Sequence, residues 1–295
     1  MNRTDTLRSL PATEATTPQR GTALPGQIVR LAAMGLIVGL MVLPFLWMLS
    51  TSLKAQEYIL QTPPQLIPNP ITLESYTGLA ERIDLVRTFF NSAFVALVGT
   101  AGQIVISAMS AYAFARLEWP GRNQVFLLYL TTMMIPAVVM VIPQFILVRN
   151  LGWMNTYAAL IVPGLFSAFG TFLLRQAFLT IPKDFEEAAF VDGANHFTIF
   201  WRIIMPLSLP SLATLGVFSF MGYWNNYLYP LFVARRDEVM TLPIALATLQ
   251  AGPRALTEWN MVMAGSVITV LPILVAYLLA QRWFVSGAIS SGIKG

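Results

Sequence analysis

In a chain of 295 residues, 56% apolar side chains against 11% charged ones lie far from soluble composition, where about a quarter are charged, and the chain reads as a membrane protein. Its net charge of +4 comes without a basic run or basic and aromatic residues interleaved, which argues against a nucleic-acid partner. The absence of cysteine excludes disulfides and thiolate metal sites and leaves the compartment to be read from topology.

Residues 1–27, rich in Thr, Pro and Ala, read as a disordered cytosolic lead, and residues 28–295 as one transmembrane domain. Six windows then contain no Asp, Glu, Lys or Arg: Leu31 to Leu53, Thr88 to Ala115, Asn123 to Val148, Asn150 to Leu174, Ile203 to Ala234 and Trp259 to Gln281. Each exceeds the roughly 18 residues that a spanning helix needs. The predicted spans are about 28–53, 88–115, 123–148, 150–175, 206–233 and 259–282, an all-α membrane protein with six transmembrane helices. The first is too long for a signal-peptide core and lacks a small-x-small cleavage site, so it is retained. Gly35 and Gly39 in it suit local close packing. Pro44, Pro136, Pro143, Pro163, Pro210 and Pro272 fall inside the windows, where neighbouring helices can re-satisfy the backbone.

Placing the N-terminus inside puts eleven Lys and Arg residues in the cytoplasm and seven outside, the expected bias, and makes both termini cytosolic. The polar segment 182–206, between the fourth and fifth spans, is then cytosolic. Pro182 ends the preceding span, and Asp184 is placed to cap a helix, with Glu187 three residues on completing a capping box. Gly193 supplies a turn, and Asn195 caps a second helix running to Met205. Small Ala188 and Ala189 leave room for a partner. From the residues alone this is either an ordinary helical hairpin or a docking protrusion. Asp184, Glu186, Glu187 and Asp192 read as a solvated or partner-facing acidic surface rather than a paired-carboxylate catalytic site. His196, the single histidine, reads as a surface residue of the second helix rather than a metal ligand.

The fifth span carries Tyr223, Trp224, Asn225 and Asn226 in one run. Aromatic faces stack on sugar rings and amides bond hydroxyls, so the run suits a pathway lining. The same residues also suit an interfacial belt with asparagines joining helices. None of the three lysines follows a glycine, so no phosphate-cradling P-loop exists. The longest outer connections, about Lys54 to Arg87 and Arg235 to Glu258, are too short to be receptor domains.

From Glu187-Ala188-Ala189 through Asp192-Gly193 to Ile203-Ile204-Met205-Pro206, the segment resembles the E-A-A-x3-G-x9-I-x-L-P signature of the permease subunits of bacterial ABC importers. Met205 replaces the leucine, a shape-tolerant swap. Further pieces resemble the carbohydrate-uptake, MalG-like branch: Ser52-Leu53-Lys54, Asn91-Ser92, Ala111 to Arg116, Trp224-Asn225, Met261 to Ala264 and the Gly292-Ile293-Lys294-Gly295 ending. The resemblance implies the type I importer fold in the cytoplasmic membrane of a prokaryote. It implies ATPase coupling through Glu187, Ala188, Ala189, Asp192, Gly193, Ile203 and Pro206, and ATPase contact by the tail Gly292, Ile293, Lys294 and Gly295. The small residues after Phe284 suit an extended strand there. Implied partners are two copies of an ATP-binding cassette ATPase, a second MalF-like permease, an extracytoplasmic sugar-binding protein and membrane lipid, with no cofactor and no metal. An ion-coupled secondary transporter or an intramembrane enzyme would need ionisable groups inside the spans, and the six windows hold no acidic or basic residue. The missing charge also favours a neutral sugar over an organic phosphate.

Overall fold

The computed structural model describes residues 24–59, 61–249 and 258–292. The chain divides at Trp47/Met48 into two units, the first holding most of helix α1 (Leu24–Ser52) and the second everything after it. α1 starts inside the stretch read as a disordered lead, because Leu24 to Gln27 are already helical.

In the second unit, α2 (Glu74–Arg82) precedes the long α3 (Leu85–Ala115), whose N-cap Asp84 accepts a bond from the Arg87 amide at 3.0 Å. The third and fourth predicted spans each become a broken pair. α4 (Arg122–Thr131) and α5 (Ala137–Asn150) meet at 99°, and α6 (Tyr157–Ile161) and α7 (Ala168–Leu179) meet at 45°. The first break sits at Ile135, held extended by the proline that follows it. The fourth span starts at Tyr157 rather than at residue 150, because Gly152 and Asn155 take positive φ angles of 71° and 57° and turn the chain. Thr156 and Ser167 then cap α6 and α7 through the amides of Ala159 and Gly170.

The loop after α7 holds α8 (Asp184–Val191), α9 (His196–Ile199), a π-helical turn Phe200–Ile204 and α10 (Met205–Leu207). α11 (Leu209–Trp224) leaves it at 80°, with Pro210 in its first turn, where the missing N–H costs nothing. α12 (Leu228–Val233), α13 (Leu242–Thr248) and α14 (Trp259–Gly292) complete the chain. The prolines thus divide into two sets. Pro44, Pro143 and Pro272 lie inside continuous helices, whereas Pro136, Pro163 and Pro210 mark breaks or new starts. α14 is helical through Gly292, so the extended strand expected after Phe284 is not formed up to that residue.

α3 is the hub. At one end Ala108, Ala111, Tyr112 and Ala115 pack with Leu174 and Phe178 of α7, with Ile199, Phe200 and Ile204 of the loop, and with Leu212 and Leu215 of α11. At the other end Asn91 donates to the carbonyls of Glu238 and Met240 at 3.0 and 2.9 Å and accepts from the Tyr157 hydroxyl at 2.6 Å. Ser92 Oγ takes the Leu242 amide at 2.7 Å. These two side chains tie the segment before α13 to the membrane helices, and three of their partners are backbone groups that would otherwise be unpaired.

Candidate functional site: the loop between α7 and α11 and the cavities beside α11

The loop is a bent pair of short helices. Gly193 adopts φ +82°, its amide donates to Phe190 O at 3.0 Å, and the Ala194 amide reaches back to Ala189 O at 2.9 Å, which is a Schellman ending for α8. A Cβ on Gly193 would meet nothing, so the glycine is required for its backbone angle and not for space. Asn195 caps α9 as expected, its Oδ1 accepting from the Thr198 amide at 2.8 Å. Asp184 does not cap. Lys183 occupies the cap position with no side-chain bond, and Asp184 and Glu187 instead lie within the first turn, where their charge complements the helix dipole.

Glu187, Ala188, Asp192, Gly193 and Pro206 are exposed, and Ala189 and Ile203 are half-buried. Around them Phe185, Phe190 and Phe197 are also exposed, and Val191 is 88% exposed. An apolar and acidic patch on a protruding loop suits a docked protein partner. Glu186 departs from the predicted acidic surface. Its side chain is 10% exposed and lies 3.0 Å from the guanidinium of Arg116, itself 4% exposed. A fully desolvated carboxylate needs such a partner, and the pattern of alternating acids gave no sign of which one turns inward. His196 is on the surface as read, with Nδ1 3.1 Å from the Tyr112 hydroxyl and its ring edge-on to Phe190.

The four residues expected to line a pathway separate. Trp224 is 1% exposed, stacks on Phe220, meets Phe89 edge-on and donates its indole N–H to Thr269 O at 3.0 Å. It packs in the core and also borders a cavity of about 690 Å³ lined almost wholly by apolar side chains of α3, α11 and α14, to which it offers no free polar group. Its burial places it between α3, α11 and α14, which a linear run of aromatics does not reveal. Asn225 is the exposed C-cap of α11 and lines none of the three cavities beside that helix. Tyr223 and Asn226 do border open space. One cavity of about 440 Å³ adjoins them together with Gln144, and a second of about 200 Å³ adjoins them together with Gln103 and Ser219. Ser219 Oγ is buried with no hydrogen-bond partner. None of the residues lining the two cavities is charged. Gln103 and Gln144 were not singled out in the sequence, because their windows, though free of charge, hold several other polar side chains.

Of the tail, only the backbone of Gly292 is described. Ile293, Lys294 and Gly295 lie outside the described residues.

Residues 103–289 match the family model described as "Binding-protein-dependent transport system inner membrane component". The chain is 35% identical, over 86% of its length and 91% of the relative's, to the arabinooligosaccharides transport system permease protein AraQ of Halalkalibacterium halodurans. It is 36% identical, over 79% of its length and 85% of the relative's, to the sn-glycerol-3-phosphate transport system permease protein UgpE of Yersinia enterocolitica. Among solved structures it is similar to a chain of a bacterial ABC transporter involved in the import of the acidic polysaccharide alginate. That match has a TM-score of 0.78 and 25% identity, and covers 91% of this chain and all of the other. With more than half of its residues within one family model and two relatives above the 30% level over most of its length, the chain belongs to the family of binding-protein-dependent transport system inner membrane components.

Proposed function

We propose that this chain is one of two permease subunits of an ATP-driven importer of a neutral, hydroxyl-rich solute of the sugar class. It crosses the cytoplasmic membrane six times with both ends inside, and the loop 182–206 is the surface on which a separate ATPase docks. Two ATPase chains, a second permease and an extracytoplasmic binding protein complete the assembly. The observation that carries this reading is the exposed helix–bend–helix with Gly193 at φ +82°, which joins the spans on either side of it directly. Six passes follow if the pairs α4–α5 and α6–α7 and the helix α11 each contribute one span, alongside the three long apolar helices.

The solute class is supported by the uncharged cavities beside Tyr223 and Asn226, where the polar side-chain groups are amides and hydroxyls. A phosphate passing there would find no cation to pair with. The names of the relatives span both possibilities, an arabinooligosaccharide and a glycerol phosphate. Gly292 to Gly295 are assigned to the ATPase surface on the resemblance of the ending, with α14 leading to it as a helix.

The deciding experiment is copurification. Gly193→Val and Glu187→Lys variants are expected to insert in the membrane but to lose most of the bound ATPase. The first forces a β-branched residue into a left-handed angle and the second reverses charge on the exposed face. If both keep the ATPase and normal transport, the loop is not the docking surface. Calorimetry of the binding protein against arabinotriose and against glycerol 3-phosphate tests the solute class separately.

A further inference from the structure

Arg116 closes α3, its amide bonding to Tyr112 O at 2.9 Å, and its guanidinium reaches three groups between the last turn of α7 and the first turn of α8. One terminal nitrogen donates to Phe178 O at 2.5 Å, in the last turn of α7, and to Ile181 O at 2.6 Å, two residues past its end. Nε faces Glu186 in the first turn of α8 at 3.0 Å. The cation complements the C-terminal end of α7, and the carboxylate complements the N-terminal end of α8. In this buried position the guanidinium sets Nη2 toward the two carbonyls and Nε toward the carboxylate, a spread along one rigid plane that the single nitrogen of an ammonium lacks.

The second half of the loop is held by different means. Ile199 and Ile204 are fully buried against α3, α7 and α11, and Phe200 packs edge-on to Tyr112 at 5.4 Å. α8 itself places Glu186 in the interior, while the rest of its face is exposed apart from half-buried Ala189. Among the described residues the Arg116–Glu186 ion pair is therefore the polar contact that binds α8 to the spans.

We infer that Arg116 is a positioning residue that makes the inner ends of α3 and α7 and the docking helix α8 move as one body, so that a displacement of α8 is delivered to two spans together. This rests on the reading of the loop as the ATPase docking surface. A hinge at Lys183 without the strut would let α8 follow the ATPase while α3 stayed behind.

The test uses the assembled complex, in which this chain contributes no cysteine of its own. Spin labels at Glu118, two residues past Arg116, and at Val191, at the end of α8, report the distance between the two bodies with and without ATP and vanadate. The parent complex is expected to keep one narrow distance in both states. Arg116→Lys, which keeps the charge but not the fork, and Glu186→Gln, which keeps the shape but not the charge, are each expected to widen the distribution about twofold, as a locally opened element does. Distributions as narrow as the parent's in both variants would overturn the inference. So would loss of the ATPase with the distance unchanged, which would make the pair part of docking alone. Gly193→Val in the same preparation separates the two claims. If it leaves ATPase binding intact, the docking surface is wrong whatever the labels report.

Discussion

Single side chains separate packing from transport in this protein. Trp224→Ala removes the largest fully buried side chain, and in a bilayer, where lipid replaces water, the loss is van der Waals contact and one hydrogen bond rather than full hydrophobic transfer. We expect a cost of about 3 kcal/mol and a lower melting temperature in detergent, with little change in which solute is taken up. Asn226→Ala and Gln144→Ala should do the reverse, slowing uptake several-fold while the melting temperature stays near the parent's. The measurement is uptake in proteoliposomes beside thermal unfolding of the same samples. Gly193→Val carries a local strain of about 1–3 kcal/mol, small enough for the chain to fold and large enough to redirect α8. How much of the site was legible at this scale depends on the residue. Gly193 and Asn195 could be placed because backbone angle and cap chemistry are local properties. Glu186 could not be told from Glu187, since the choice is made by Arg116 some 70 positions earlier (186 − 116 = 70).

At the scale of elements, apolar windows located the helices but not their breaks. Hydropathy responds to composition, and a window keeps its composition when Pro136 turns the backbone through 99°. Whether a proline breaks a helix is decided by what surrounds the freed carbonyl, so Pro143 and Pro272 pass unnoticed while Pro163 and Pro210 do not. The Asn91-Ser92 pair gained its meaning only from structure, as the clamp on residues 238–242. Asn91→Leu would leave two carbonyls and the Tyr157 hydroxyl without that partner. We expect a loss of about 2 kcal/mol and faster proteolysis between residues 234 and 241, read by limited digestion.

For the whole molecule, charge bias and the proposed docking role of the loop call for the same orientation, and the absence of cysteine makes it directly measurable. A cysteine introduced at Val191 should resist an impermeant maleimide in spheroplasts, whereas one at Gln61 should react. Labelling at Val191 in intact spheroplasts would reverse the topology.

Tyr223 has one more consequence. Its phenol fits so closely that a Cβ on Gly99 would come within 2.6 Å of the ring and one on Gly164 within 2.6 Å of the hydroxyl, which donates to Ile161 O. The ring borders both cavities, so it stands as a partition between them. A cell that stores energy as an ion gradient cannot tolerate an open conduit of this size, and an importer at rest must therefore be electrically silent. Gly99→Ala would push the phenol aside. Vesicles carrying that variant should lose an imposed potassium diffusion potential faster than parent vesicles, as followed with a potential-sensitive dye, and equal decay rates would show that the seal lies elsewhere.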